Sequence, residues 1–177
     1  MRALAILVLS TCVSGSMDAT TLQQLSLGDM AAKATSIVRA RVTGSRAVVR
    51  GTDVFTLYRF EALEVLKQGS VVAEVGVPGG VAGGMRQVVA GAPVLRPGQE
   101  YVFFLWTSRS GLTQLMGMSQ GLFTLKKTSS GDLLASRAAA GEQMLDAEGH
   151  AAMDQAVSMP WAELKAKVTS AASAGRR

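Results

Sequence analysis

The stretch "RPGQEYVFFLWT", residues 96–107, decides the fold class of this chain. Pro97-Gly98 is the favoured centre of a type II turn, and the run 101–106 that follows is apolar at the positions of both strand faces. Such a run is typical of a central strand in a barrel or sandwich. Its aromatic side chains are therefore predicted to lie in the core rather than to stack on bases.

Further strands are predicted on both sides of this run. Residues 37–43 alternate, with Val38, Ala40 and Val42 on one face. The remaining predicted strands are 52–66, 71–77, 112–118 and 122–125. Short strands at this close spacing, with one early helix, predict a mostly β chain that forms a small antiparallel OB-like barrel.

A helix is predicted near each end of the barrel sequence. Ser26 caps a short N-terminal helix whose buried face carries Leu27, Met30 and Ala34. Pro160 opens a C-terminal amphipathic helix whose buried face carries Trp161, Leu164 and Val168. Both helices are expected to pack on the strands.

Three segments are predicted along the chain. Residues 1–19 are a signal peptide, residues 20–127 form the barrel domain, and residues 128–177 are an extension that ends in the second helix. After residue 127 the sequence turns to Ala, Gly, Ser and acidic residues. The extension is therefore expected to be weakly ordered, with one strand near Leu133-Leu134.

The amino end has the order of a secretory signal. Arg2 precedes the apolar run 3–9, which is too short to span a bilayer and is followed by a small, polar stretch. Cleavage is expected between Ser16 and Ala19, which leaves an exported chain in the periplasm or the medium and no stable membrane span. The alternative is a lipoprotein signal, in which Cys12 becomes the lipidated first residue. If Cys12 is instead removed with the signal peptide, the mature chain has no cysteine.

The charge balance is mildly basic. The chain has 18 Lys and Arg, 13 Asp and Glu, and a net charge of +5. The basic residues are scattered, and the only adjacent pairs are Lys126-Lys127 and Arg176-Arg177. This pattern favours a solvated surface over the clustered footprint of a nucleic-acid-binding protein.

A glycine-rich segment, "VPGGVAGGMRQ" at residues 77–87, raises the question of a phosphate site. Gly79 and Gly84 have the spacing of a phosphate-binding loop, but Met85-Arg86 stand where Lys and Ser or Thr are required. The segment also leads toward strand-like sequence rather than into a helix. The glycines are therefore predicted to shape a turn between strands and to leave backbone groups free for a partner.

Reactive side chains are scarce. His150 is the only histidine in the sequence and there is no HExxH motif, which argues against most zinc sites and leaves a Ser-His-Asp triad no other histidine to use. In "LDAEGH", Asp146, Glu148 and His150 occupy alternate positions, so a strand would place all three on one side, where they could bind a hard cation. A polar loop is the favoured interpretation. No metal, cofactor or catalytic residue is predicted.

Four segments keep a fixed order along the chain. They are "LSLGDMAAKATSIVRARVT" (25–43), "YRFEALEVLKQG" (58–69), "VGVPGGVAGGMRQVVAGAPVLRPGQEYVFFL" (75–105) and "LMGMSQGLFTL" (115–125). Over residues 20–126 this order resembles a family of secreted bacterial proteins of unknown function. That family is similar in layout to the netrin-like modules of the tissue inhibitors of metalloproteinases, which are OB-type barrels.

The resemblance implies an OB-like barrel and carries no catalytic residues with it. The animal inhibitors chelate the zinc of a protease through an amino-terminal cysteine, which the predicted mature chain lacks. A zinc-directed mechanism is therefore not implied, whereas docking through an exposed loop stays open.

The leading hypothesis is an exported, non-enzymatic module that binds a protein, with a secreted peptidase as one candidate partner. The predicted contact residues are Gly79, Gly80, Gly83, Gly84, Arg86, Gln87 and Gln120. Salt-dependent binding of nucleic acid or an anionic glycan is the alternative. A hydrolase that uses two of Glu61, Glu64, Glu74 and Glu100 ranks last. The sequence leaves the oligomeric state open.

Overall fold

Strands make up 48% of the computed structural model, against 16% for helices, and the prediction of a mostly β chain is confirmed. The structure describes residues 21–69 and 72–174. The predicted signal peptide and Cys12 lie outside the described residues. The strands are β1 (Leu22–Gln23), β2 (Ser36–Arg50), β3 (Asp53–Lys67), β4 (Glu74–Pro78), β5 (Gly80–Ala82), β6 (Met85–Gln87), β7 (Glu100–Thr107), β8 (Thr113–Leu115), β9 (Leu122–Lys127), β10 (Leu133–Arg137), β11 (Met144–Leu145), β12 (Ala151–Ala152) and β13 (Val157–Pro160). The helices are α1 (Leu27–Lys33) and α2 (Trp161–Ala174), with a 3₁₀ turn at Met118–Gly121.

An eight-stranded sheet organises the fold, in the order β13-β10-β9-β7-β2-β3-β4-β8. Its pairs are antiparallel except β4–β8, and β8 also pairs with β7. The long hairpin β2–β3 has three register shifts between residues 37 and 44. Register shifts mark β-bulges, in which an extra residue on one strand bends and twists that strand. The hairpin therefore curves across the sheet.

Strand β7 supplies side chains to two separate cores. Val102 and Phe104 belong to one core, while Tyr101, Phe103 and Leu105 belong to the other. The side chains of residues 101–105 are therefore buried on both faces, as their apolar run predicts. Trp106 is the exception: it is 45% exposed, and its prediction as a core residue is wrong.

The first core lies between the sheet and the two helices. In α1, Ser26 Oγ accepts a hydrogen bond from the backbone N–H of Asp29 (3.0 Å), and Met30 and Ala31 are buried. In α2, Trp161, Leu164 and Val168 face this core, as their spacing predicts. Pro160 is the last residue of β13 rather than the first of the helix.

The chain after residue 127 takes part in the same core. Strand β10 lies between β9 and β13, at the position where a strand was expected near Leu133-Leu134. Ala135 of β10 and Leu164 of α2 are fully buried in the same core as Phe104. The predicted boundary at residue 127 thus falls inside one core, and the segment predicted as an extension covers one face of the sheet.

Within the described ranges, the structure contains no helix that is both long and apolar enough to cross a membrane.

Candidate functional site

The glycine-rich segment folds into a small hairpin, β5–β6, with a two-residue turn at Gly83-Gly84. Both turn glycines have positive φ, 58° and 74°. Two consecutive positive φ values are typical of the type I′ turn, which matches the twist of the paired strands. The sequence therefore uses these glycines to close a hairpin.

The base of this hairpin rests directly on strand β3. Thr56 Oγ1 donates a hydrogen bond to the carbonyl of Gly79 (2.8 Å), and a Cβ atom at Gly80 would lie 2.7 Å from the same hydroxyl oxygen. Gly79 and Gly80 thus allow a close backbone approach. They shape the predicted site and offer no side chain to a partner.

Gln87 ties the other end of the hairpin to the start of β3. Its Oε1 accepts a hydrogen bond from the backbone N–H of Val54 (2.6 Å), and its Nε2 donates to Asp53 Oδ1 (3.3 Å). Both ends of the amide are therefore engaged within the chain. Gln87 holds the hairpin in place, and a partner would compete with these bonds for its amide.

The prediction that Gln120 contacts a partner is wrong, because its side chain is completely buried. Its Nε2 donates to the carbonyl of Gln23 (3.0 Å), and its Oε1 accepts from the backbone N–H of Leu25 (2.8 Å). The side chain thereby fixes the segment before α1 to the 3₁₀ turn. No surface partner can reach it.

The solvent face of the hairpin carries the exposed groups. Gly80 and Gln87 face β3, so Val81 and Arg86, which pair with each other across the hairpin, point the other way. Val81 is 67% exposed. A Cβ atom at Gly83 would lie 2.9 Å from Val49 Cγ2, so the tip of the β2–β3 hairpin is adjacent.

We call this region the hairpin surface. It consists of the exposed residues Val49, Arg50, Val81, Met85, Arg86 and Val88. Within the described part of the chain, the guanidinium groups of Arg50 and Arg86 have no hydrogen-bond or ion-pair partner. The surface thus combines aliphatic side chains with two cations that are free to pair with another molecule.

A pocket of about 290 Å³ opens where strands β4 and β8 diverge. The two strands share a single bridge, Gly76–Gln114. Pro78 then ends β4, since proline has no N–H to continue a ladder. The pocket is lined by Leu22, Gly76, Val77, Pro78, Pro93, Trp106, Gln114, Leu115, Gly117 and Met118.

A wider cleft of about 630 Å³ lies beside α1 and includes Asp29, Asp146, Arg137 and Asp154. Asp146 Oδ1 accepts hydrogen bonds from the backbone N–H groups of Glu148 and His150 (3.0 and 2.8 Å). The segment "LDAEGH" is therefore a turn closed by Asp146, rather than a strand with three ligands on one side. Among the described residues no three His, Cys, Asp or Glu side chains are grouped so that they would hold a metal ion.

Three of the four carboxylates of the hydrolase alternative pair with basic side chains, while Glu61 is exposed on β3. Glu100 accepts hydrogen bonds from Arg39 and Arg41, each at 2.7 Å, while Glu74 pairs with Arg46 and Glu64 with Lys165. The hydrogen bond from Arg39 is the main cause that lowers the pKa of Glu100 below its ordinary value. Glu100 therefore stays ionised near neutral pH, which does not suit a general acid.

The pocket residues Trp106, Gln114 and Met118 were missed by sequence reasoning. The apolar run 101–106 gives Trp106 the pattern of a core residue, and only its place one position from the end of β7 distinguishes it.

Comparisons of the chain with protein-family models, with curated proteins and with solved structures found no match.

Proposed function

We propose that this chain is an exported, non-enzymatic module that binds a protein partner through the hairpin surface. The observation that carries the proposal is the pairing of exposed Val81 with the unpartnered Arg86 on a short, anchored hairpin. Arginine is enriched in protein interfaces, and the buried centre of an interface is more apolar than the rest of the protein surface. Because the hairpin is held by Thr56 and Gln87, binding would cost little ordering of the backbone.

The chemistry of the surface favours a partner with acidic groups around an apolar centre. Arg50 and Arg86 supply two positive charges, and the adjacent valines supply apolar contact area. Complementary charge of this kind raises association rates and selects partners. A secreted peptidase is one candidate partner, because the resembled family is similar in layout to inhibitor modules that bind proteases.

We further propose that an OB-like barrel is the scaffold that carries this surface. The support is a ring of pairings, because β7 pairs with β2, β2 with β3, β3 with β4, β4 with β8, and β8 again with β7. The second core, which includes Val42, Val75 and Phe103, is formed by strands of this ring. Export through the leader 1–19, into the periplasm or the medium, belongs to the same proposal.

Capture from the organism's own periplasm and medium tests the proposal. The full-length sequence is expressed for export with a C-terminal tag, and the exported protein is the bait. The test variant is Arg86→Glu, and the matched control is Arg109→Glu, the same charge change at an exposed residue in the turn between β7 and β8. We expect one dominant protein to be recovered with the native bait and the control, and to be lost with Arg86→Glu.

Equal recovery of that protein with both variants would remove the hairpin surface from the proposal. The salt dependence of retention on immobilised heparin separates the nucleic-acid or glycan alternative. A binder of polyanions would be released by salt, and Arg109→Glu would weaken it as much as Arg86→Glu. A protein-specific surface predicts that only Arg86→Glu weakens capture.

A further inference from the structure

The pocket between β4 and β8 differs in chemistry from the hairpin surface. None of its lining residues is charged, and most of them are aliphatic, proline or methionine side chains. The two strands separate after their one bridge, so the pocket reaches between them toward Val77 and Leu115. A site without charge favours an uncharged ligand, because a buried ion without a partner is costly.

Trp106 gives the pocket an aromatic wall. It stands directly across from Gln114 in the β7–β8 pair, so both side chains lie on the same face of the sheet. Within the described part of the chain, neither the indole N–H nor the Gln114 amide has a hydrogen-bond partner. The pocket thus presents one ring face and two free polar groups, which is the composition of a small-molecule site.

Backbone strain is concentrated at the same place. Met118 has φ of 58°, the only positive φ at a non-glycine residue in the described chain, and it follows Gly117 at 55°. The turn is closed by bonds from the N–H of Gly121 to the carbonyl of Met116 (2.9 Å) and from the N–H of Gln120 to that of Gly117 (3.1 Å). Such strain tends to occur at ligand sites, and here it places Met118 in the pocket wall.

We infer that this pocket binds a small, uncharged, mainly apolar molecule whose ring lies against Trp106 and whose polar group bonds to Gln114. The volume limits the ligand, since a cavity of about 150 Å³ holds benzene and the pockets of drug-sized ligands measure roughly 300–1,000 Å³. A pocket of about 290 Å³ therefore suits a molecule of up to three rings. The inference is independent of the hairpin surface.

The test uses the neutral fluorophore N-phenyl-1-naphthylamine as the probe. The chain has two tryptophans, Trp106 and the core residue Trp161, so a Trp161→Phe protein reports on Trp106 alone. We expect one saturable site per chain, with quenching of Trp106 emission by the bound probe. Trp106→Ala in the native background should weaken binding at least tenfold, and Gln114→Leu several-fold. If Trp161→Phe does not fold, the enhanced emission of the probe itself provides the readout.

Two controls distinguish the pocket from general surface hydrophobicity. Val88→Ser changes an 80% exposed valine of the hairpin surface and should leave probe binding unchanged. The anionic analogue 1-anilinonaphthalene-8-sulfonate should bind at least tenfold more weakly than the neutral probe. Equal binding of the two probes, or binding that is insensitive to both Trp106→Ala and Gln114→Leu, would overturn the inference.

Discussion

Arg137 and Asp154 form a two-point ion pair that joins strand β10 to the loop before β13. Arg137 Nη1 lies 3.0 Å from Asp154 Oδ2, and Nη2 lies 2.9 Å from Oδ1. The two side chains are 8% and 3% exposed. Asp154 Oδ2 also accepts the backbone N–H of Ala140 at 2.7 Å, so one carboxylate fixes both ends of the segment 138–156.

We predict that Arg137→Ala lowers the free energy of unfolding by about 3–5 kcal/mol. The substitution leaves the Asp154 carboxylate buried with only backbone donors, which is the costly way to break a buried ion pair. Urea unfolding followed by circular dichroism measures the change. A loss of under about 1 kcal/mol would mean that this pair behaves as an exposed one.

The double variant Arg137→Ala/Asp154→Ala is the control for that measurement. Removing both charges avoids the stranded carboxylate, so the double variant should be more stable than the sum of the two single losses predicts. Simple additivity of the two losses would show that the pair has no coupling energy. The same cycle at the exposed pair of Arg46 and Glu74, at 55% and 28% exposure, should give a much smaller coupling.

Acid should destabilise the protein through Asp154 and Glu100. Burial opposes ionisation of Asp154, but hydrogen bonds from the Ala140 N–H and from Arg137 outweigh it, so the pKa of Asp154 is lowered. The hydrogen bond from Arg39 lowers the pKa of Glu100. A lowered folded-state pKa gives stability that is present above the unfolded value and lost as the pH falls through the folded value. The free energy of unfolding should therefore decline below about pH 4, the ordinary range of these groups.

Asp154→Asn tests the contribution of one carboxylate to that decline. The amide cannot be protonated in this range, so the variant should be less stable at pH 7 and should lose less stability on acidification. Unfolding free energies measured from pH 7 to pH 3 give both slopes. Identical slopes for the native protein and Asp154→Asn would assign the acid sensitivity to other groups.

The central strand was predictable because its signal is local. In β7 five successive residues are buried on alternating faces, and an apolar run of that length has few other structural solutions. The buried faces of α1 and α2 were predictable for the same reason, since Met30 and Leu164 follow the helical repeat. The packing of β10 was not, because it depends on pairing with β13, more than 20 residues along the chain.

The candidate sites were only partly predictable, because their geometry depends on long-range contacts. The consecutive glycines between β5 and β6 predict a turn from sequence alone. Nothing near Gln87 in the sequence shows that its amide bonds to the backbone N–H of Val54. Gln120 is polar and follows a glycine-containing segment, which is also typical of a surface loop. Its burial arises from bonds to Gln23 and Leu25, nearly 100 residues earlier in the chain.

Gln120→Leu should therefore destabilise the fold without affecting the hairpin surface. Leucine is similar in size but leaves the carbonyl of Gln23 and the N–H of Leu25 without their partner, which should cost about 1–3 kcal/mol for each group that stays buried. Thermal unfolding measures the loss, and capture through Arg86 should be unchanged at a temperature where the variant is folded. Loss of capture by folded Gln120→Leu would restore Gln120 to the binding site.

Two glycine substitutions separate backbone strain from steric contact at the hairpin surface. Gly51 and Gly83 have similar φ values, 62° and 58°, but a Cβ atom meets nothing within 4 Å at Gly51 and lies 2.9 Å from Val49 Cγ2 at Gly83. Gly51→Ala should cost about 1–2 kcal/mol from the left-handed backbone alone. Gly83→Ala should cost more, and Val49→Ala in the same protein should recover the excess. Equal losses at the two glycines, measured by urea unfolding, would show that the β5–β6 turn moves away from Val49 at little cost.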